Sequence, residues 1–219
     1  YLQASIVRSC RKIIAVGRNY AEHAAELGNR VPTEPVIFMK PASSLLLEGS
    51  GPIRLPPNAD EIHHEVEMAV VIGKRLSGIA VTDEEAIAAV AGYTLALDMT
   101  DRKMQDRLKS GGLPWTLAKC FDTSCPISAM DPPIKPDAIG PDTRLWLRVN
   151  DHQDRQCGQL KQMLFPVPRL LAFVARSAIS MEPGDILLTG TPAGVGPVRS
   201  GDVIRAGIDG LLEMTFSVA

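Results

Sequence analysis

The chain is poor in the features that announce the commoner functional classes. Its four cysteines, Cys10, Cys120, Cys125 and Cys157, form no C-x-x-C pair and their spacing suits no zinc module. Four reduced thiols in a cytoplasmic protein are therefore the plain expectation. No apolar run approaches the roughly 20 residues of a membrane-crossing helix. Tyr1–Ser5 lacks a signal-peptide pattern. No Lys/Arg block breaks a balance of 23 basic and 25 acidic residues, net charge −2, so neither nucleic acid nor a membrane surface is an expected partner. Internal repeats and low-complexity tracts are also missing. What remains is 219 residues, 45% hydrophobic and 22% charged, the make-up of one soluble domain spanning 1–219.

The most informative stretch is His63-His64-Glu65-Val66-Glu67-Met68-Ala69-Val70-Val71-Ile72-Gly73. On a β-strand residues two apart share a face, so Glu65 and Glu67 lie side by side while Val66, Met68 and Val70 point the other way. Adjacent like charges are unfavourable unless something positive lies between them, and a hard divalent cation is the simplest partner. Asp98 sits out of place in the apolar run Tyr93–Thr100 and also needs a hydrogen-bonded role or a cation. One metal would satisfy all three carboxylates.

The other elements read as follows. Residues 11–17 are a short buried strand. Asn19 is a candidate N-cap for a helix closed by Gly28, on which His23 and Glu26 fall at i and i+3. That pair can be a general-base dyad, or an ordinary solvated pair. Val36–Pro41 is a strand whose Lys40 is solvated or reaches an anion. Thr82 and Glu85 form a capping box, and Gly92 is expected to end that helix. Arg102 and Gln105 lie on a polar helical segment, and Lys119 sits in a mostly apolar context. Arg144–Asn150 alternates as a half-exposed strand, and His152 is turn material. Gly190–Pro197 is a glycine-rich loop without the lysine of a P-loop, able to present backbone N–H groups and the Thr191 hydroxyl to an anion.

Taken together, these residues resemble the fumarylacetoacetate hydrolase family, in its single-domain branch of acylpyruvases and oxaloacetate decarboxylases. The matching stretches are Val16-Gly17-Arg18-Asn19-Tyr20 with His23, His63-His64-Glu65-Val66-Glu67, Leu97-Asp98-Met99-Thr100, Leu113-Pro114-Trp115 to Lys119, and Leu188-Thr189-Gly190-Thr191-Pro192 to Gly196. They run in order over nearly the whole chain. The resemblance implies a mainly β fold with short helices (α+β), a mixed β-sandwich roll, in a homodimer. It implies Mg²⁺ or Mn²⁺ on Glu65, Glu67 and Asp98. His23, Glu26 and Lys119 become the catalytic positions, and Arg18, Arg102, Gln105 and Thr191 the substrate-binding ones. Two-domain relatives carry a further carboxylate ligand where this chain has Val16, which makes fumarylacetoacetate itself an unexpected substrate. The expected reaction is metal-dependent hydrolysis of acylpyruvates to a carboxylate and pyruvate, with oxaloacetate decarboxylation open to the same site. The alternatives are other chemistry on 2-oxo or 2-hydroxydienoate acids, as decarboxylase, isomerase or hydratase, and, more remotely, a non-catalytic binding module.

Overall fold

Strand-forming residues dominate the elements seen in the computed structural model, which describes residues 9–26, 28, 30–129, 131–150 and 153–219. The strands are β1 (Lys12–Gly17), β2 (Val36–Pro41), β3 (Leu45–Leu47), β4 (Ile62–His64), β5 (Val66–Ile72), β6 (Val90–Leu97), β7 (Thr100–Asp101), β8 (Cys125–Ile127), β9 (Arg144–Val149), β10 (Gln156–Gln159), β11 (Ile186–Leu188), β12 (Gly196–Pro197), β13 (Val203–Ile208) and β14 (Leu212–Ser217). The helices are α1 (Ala21–Glu26), α2 (Asp83–Ala88), α3 (Arg102–Ser110), α4 (Thr116–Lys119) and α5 (Val167–Arg176).

The strands form a seven-stranded sheet in the order β2-β1-β11-β5-β6-β8-β3, a four-stranded sheet β10-β9-β13-β14 and a three-stranded sheet β12-β4-β7. The large sheet is mixed, since β1 runs parallel to β11 and β3 to β8 while the other pairs are antiparallel. One of its faces (Ile14, Val66, Met68, Val70, Leu95, Leu97) shares a buried core with Leu145 and Leu147 of β9, Ile204 and Ala206 of β13, and Leu170 and Leu171 of α5. The expected mainly β roll with short helices is thus the observed architecture.

Three local readings are corrected. Asn19 does not act as a helix cap; its amide joins distant segments, donating to Phe165 O and Thr189 O and accepting from Phe165 N. Gly92 does not end α2 but lies inside β6, where a Cβ would stand 2.5 Å from Ile134 O. Strand β9 is half-exposed only in part: Leu145, Leu147 and Val149 are buried on one face and Arg144 and Arg148 remain open on the other, but Trp146 between them is buried as well. It is covered because Gly207 admits its ring and the Arg148 guanidinium lies 4.8 Å from that ring's centroid. The capping box on α2 is present in both directions. His152 lies outside the described residues.

Candidate active site

The three carboxylates converge through a topological coincidence of two strands. β5 pairs with β6 in the large sheet, Val66 opposite Leu97, while β4 pairs with β7 in the small sheet, His63 opposite Thr100. Both chains therefore change sheets at the same level, one at Glu65 and the other at Asp98, and Asp98 N donates to Glu65 O at that point (2.9 Å). Glu65 is a link between two strands rather than part of one uninterrupted strand. Glu65, Glu67 and Asp98 are all buried and present oxygens within 4.8 Å of one another.

Cations meet this cluster from below and beside it. Lys119 Nζ donates to Glu65 Oε2 (2.9 Å), Asp98 Oδ2 and Thr100 Oγ1 (2.6 Å). Lys40, fully buried, donates to Asp98 Oδ1 (2.7 Å) and to the Lys119 carbonyl. The Arg102 guanidinium pairs with Glu65 Oε1 and donates to Gln105 Oε1 (2.7 Å) and His63 Nδ1 (3.4 Å). Burial alone would raise the Glu65 pKa, but Lys119 and Arg102 outweigh it and hold that carboxyl far below the usual range. Among the described residues, Glu67 receives a hydrogen bond from the Gly190 N–H alone (2.6 Å). Burial, then the charges of Asp98 and Glu65, push its carboxyl well above the usual range. Burial likewise works against a charged Lys119, yet Asp98 and Glu65 keep its pKa above the ordinary value.

His23 and Glu26 do meet: Nδ1 lies 3.3 Å from Glu26 Oε2, with the imidazole buried and the carboxylate partly exposed. Glu26 is steadied by Gly194 N of the glycine loop (3.1 Å). Burial lowers the His23 pKa, against the opposing pull of Glu65 and Glu26, so the ring is a neutral base near pH 7. Arg18, His23, Arg102, Gln105, Lys119 and Thr191 line one cleft with the three carboxylates, about 410 Å³ including its open mouth. Val16 stands at its wall and offers no ligand. The Thr191 hydroxyl donates to Val66 O (2.8 Å) and accepts from Gln156 Nε2 (2.7 Å), so its proton is already committed within the protein. The same holds for Lys119, whose three N–H groups are all engaged.

The donor set fits a hard divalent cation. Three buried carboxylates offer only oxygen, and the Glu67 carboxyl sits in a field of like charge that a cation would relieve. Two site residues are not assigned from sequence. Lys40 closes an apolar strand and gives no sign of its direction, and Gln156 sits in a polar stretch without periodicity. Phe38 and Trp115, packed edge to face with centroids 5.5 Å apart, close the cleft's apolar side.

Comparison with known proteins bears on these features. Residues 12–219 match the family model described as fumarylacetoacetate (FAA) hydrolase C-terminal. Oxaloacetate decarboxylase, mitochondrial, of Dictyostelium discoideum is 50% identical over 209 residues, 95% of this chain and 94% of that protein. Oxaloacetate tautomerase FAHD1, mitochondrial, of Homo sapiens is 49% identical over 95% of this chain and 91% of that protein. Among solved structures, the fumarylpyruvate hydrolase of Pseudomonas aeruginosa in complex with Mn²⁺ and pyruvate superposes with a TM-score of 0.86 at 35% identity, covering 96% of this chain and 90% of that one. The mitochondrial names of the relatives overturn the cytoplasmic assignment drawn from the cysteines. Reduced thiols report a reducing compartment, not which membrane encloses it. With the whole described fold and nearly the whole sequence matched, the chain belongs to the fumarylacetoacetate hydrolase family.

Proposed function

We propose that this protein is a divalent-metal-dependent enzyme acting on oxaloacetate through its enolate, interconverting keto and enol forms and releasing CO₂ to give pyruvate. The observation that carries this reading is the buried triad Glu65, Glu67 and Asp98, placed in one cleft with Arg18, Arg102, Lys119 and a neutral, carboxylate-oriented imidazole. The names of the two relatives and the Mn²⁺–pyruvate complex of the third support the substrate class. Glu65, Glu67 and Asp98 would hold Mg²⁺ or Mn²⁺, which when bound supplies Lewis acidity toward the 2-oxo oxygen.

Charge balance favours such a ligand. Glu65 and Asp98 pair with Lys40, Lys119 and Arg102, two carboxylates against three cations, while burial and like charge push the Glu67 carboxyl toward its neutral form. A divalent cation would relieve that like charge, and a dicarboxylate dianion would offset the charge the cation brings. The chain's own residues then divide the work. Arg102 and Arg18 at the cleft wall attract the substrate carboxylates, and Gln105, fixed by Arg102, lies beside them. His23 takes a proton from C3 of the keto form and returns it to the 2-oxo oxygen, giving the enol and regenerating the neutral imidazole; the reverse transfer restores the ketone. In decarboxylation the C3–C4 bond breaks, its electron pair passes into the C2–C3 enolate, CO₂ leaves, and protonation at C3 yields pyruvate. Lys119 acts through its fixed positive charge beside the forming enolate.

A second reading, hydrolysis of acylpyruvates, rests on the His23–Glu26 pair, which would deprotonate water for attack on a distal acyl carbonyl. Three parallel assays with Mg²⁺ separate the readings: loss of enol-oxaloacetate absorbance, pyruvate release from oxaloacetate, and cleavage of acetylpyruvate. His23→Ala is expected to abolish tautomerisation and hydrolysis while sparing much of the decarboxylation. Equal loss of all three would refute this division of roles, and turnover of acetylpyruvate far above oxaloacetate would favour the second reading.

A further inference from the structure

Gln156, at the start of β10, is fully buried and has all four of its amide hydrogen-bonding positions engaged. Backbone partners fix its orientation. Val66 N can only donate, so Oε1 faces it (3.0 Å), and Pro192 O can only accept, so Nε2 faces that (2.8 Å). The remaining contacts follow: Oε1 lies 2.9 Å from His64 Nδ1, which must carry the proton, and Nε2 donates to Thr191 Oγ1 (2.7 Å). His64 and Val66 flank Glu65 on either side. Thr191 and Pro192 belong to the glycine loop, whose Gly190 N binds Glu67 Oε2. Thr191 Oγ1 also donates to Val66 O, so both backbone groups of Val66 are held. One side chain from a different sheet thus ties the peptide carrying Glu65 to the loop that holds Glu67.

We propose that Gln156 is a positioning residue for the acidic triad, setting the separation of Glu65 and Glu67 and with it the affinity for the divalent cation. This rests on reading the triad as a metal site. Groups that orient metal ligands typically change affinity by about 10–100-fold when removed. The experiment is titration of metal-free protein with Mn²⁺, followed by calorimetry, on wild type, Gln156→Met and Leu147→Ala. Leu147 is buried opposite Gln156 in β9 and carries no polar side-chain atom, so its truncation removes neighbouring packing without removing a hydrogen bond. Gln156→Met is expected to bind Mn²⁺ about 10–100-fold more weakly, and Leu147→Ala to bind it as wild type does. Decarboxylation by Gln156→Met should recover as Mn²⁺ is raised. Wild-type affinity in Gln156→Met, or the same weakening in Leu147→Ala, overturns the proposal. If Gln156→Met does not fold, Gln156→Asn, with its amide withdrawn by one methylene, is read in the same way. Failure of wild type itself to take up Mn²⁺ instead removes the metal reading, and the proposal with it.

Discussion

His23 owes its fitness as a base to burial as much as to Glu26. Burial disfavours the imidazolium and lowers its pKa, while the carboxylates of Glu65 and Glu26 pull the other way. The neutral form, the one the proposed mechanism requires, therefore persists to a pH below the ordinary histidine value. The acid limb of kcat/KM for tautomerisation is expected below about 6.5, and Glu26→Gln, by removing a charge that favours the imidazolium, should move it lower still. A limb that moves upward in Glu26→Gln would contradict this coupling. For Lys119→Ala, loss of a charge beside a developing oxyanion should lower kcat by about 10²–10³; near-wild-type turnover would remove Lys119 from the mechanism. At this scale much was legible from sequence. Carboxylates two apart and a stray aspartate in an apolar run betray a need for a cation whatever the fold. Lys40 was not legible, because a lysine at a strand end looks the same whether it meets water or, as here, Asp98.

Among the elements, the glycine loop shows how backbone conformation serves the site. Gly190 adopts φ +91 and Gly194 φ +95. A Cβ on Gly194 would also fall 1.9 Å from Arg155 O, a backbone atom that cannot move aside cheaply. Gly194→Ala is expected to destabilise the protein by about 1–3 kcal/mol and to release the Gly194 N contact that steadies Glu26. A melting temperature and activity equal to wild type would show that the loop yields without penalty. The capping box on α2 was readable from Thr82 and Glu85 because both partners lie within one turn. Gly92 and Trp146 misled for the opposite reason. What covers them, the Ile134 carbonyl and Gly207, is distant in sequence or in another strand.

For the whole molecule, Lys40, Lys119 and Arg102 pair with Glu65 and Asp98 while Glu67 is held toward its neutral form, so the chain folds around the site without relying on metal. Added Mn²⁺ should then stabilise by mass action, about 2.7 kcal/mol at a hundred times Kd, or about 5–10 °C for a chain of this size. The shift should vanish in Glu65→Ala, and its persistence there would remove Glu65 from the ligand set. A single melting transition is expected of one domain over 1–219, and a homodimer is expected by light scattering.

Sequence by itself determined the chemistry on offer: which carboxylates lie close along the chain, which imidazole has an acidic neighbour one helical turn away, and, through the order of its motifs, the family. Those relations are local or are carried by residue identity, so no packing is needed to see them. Tertiary structure alone decided how that chemistry is held. Two strands changing sheets at the same level place Asp98 against Glu65, a buried lysine meets Asp98 from beneath, and a glutamine from another sheet joins both walls of the triad. The physical reason is that a buried charge or amide is tolerated only with partners, and in this fold those partners come from segments up to 174 residues away along the chain.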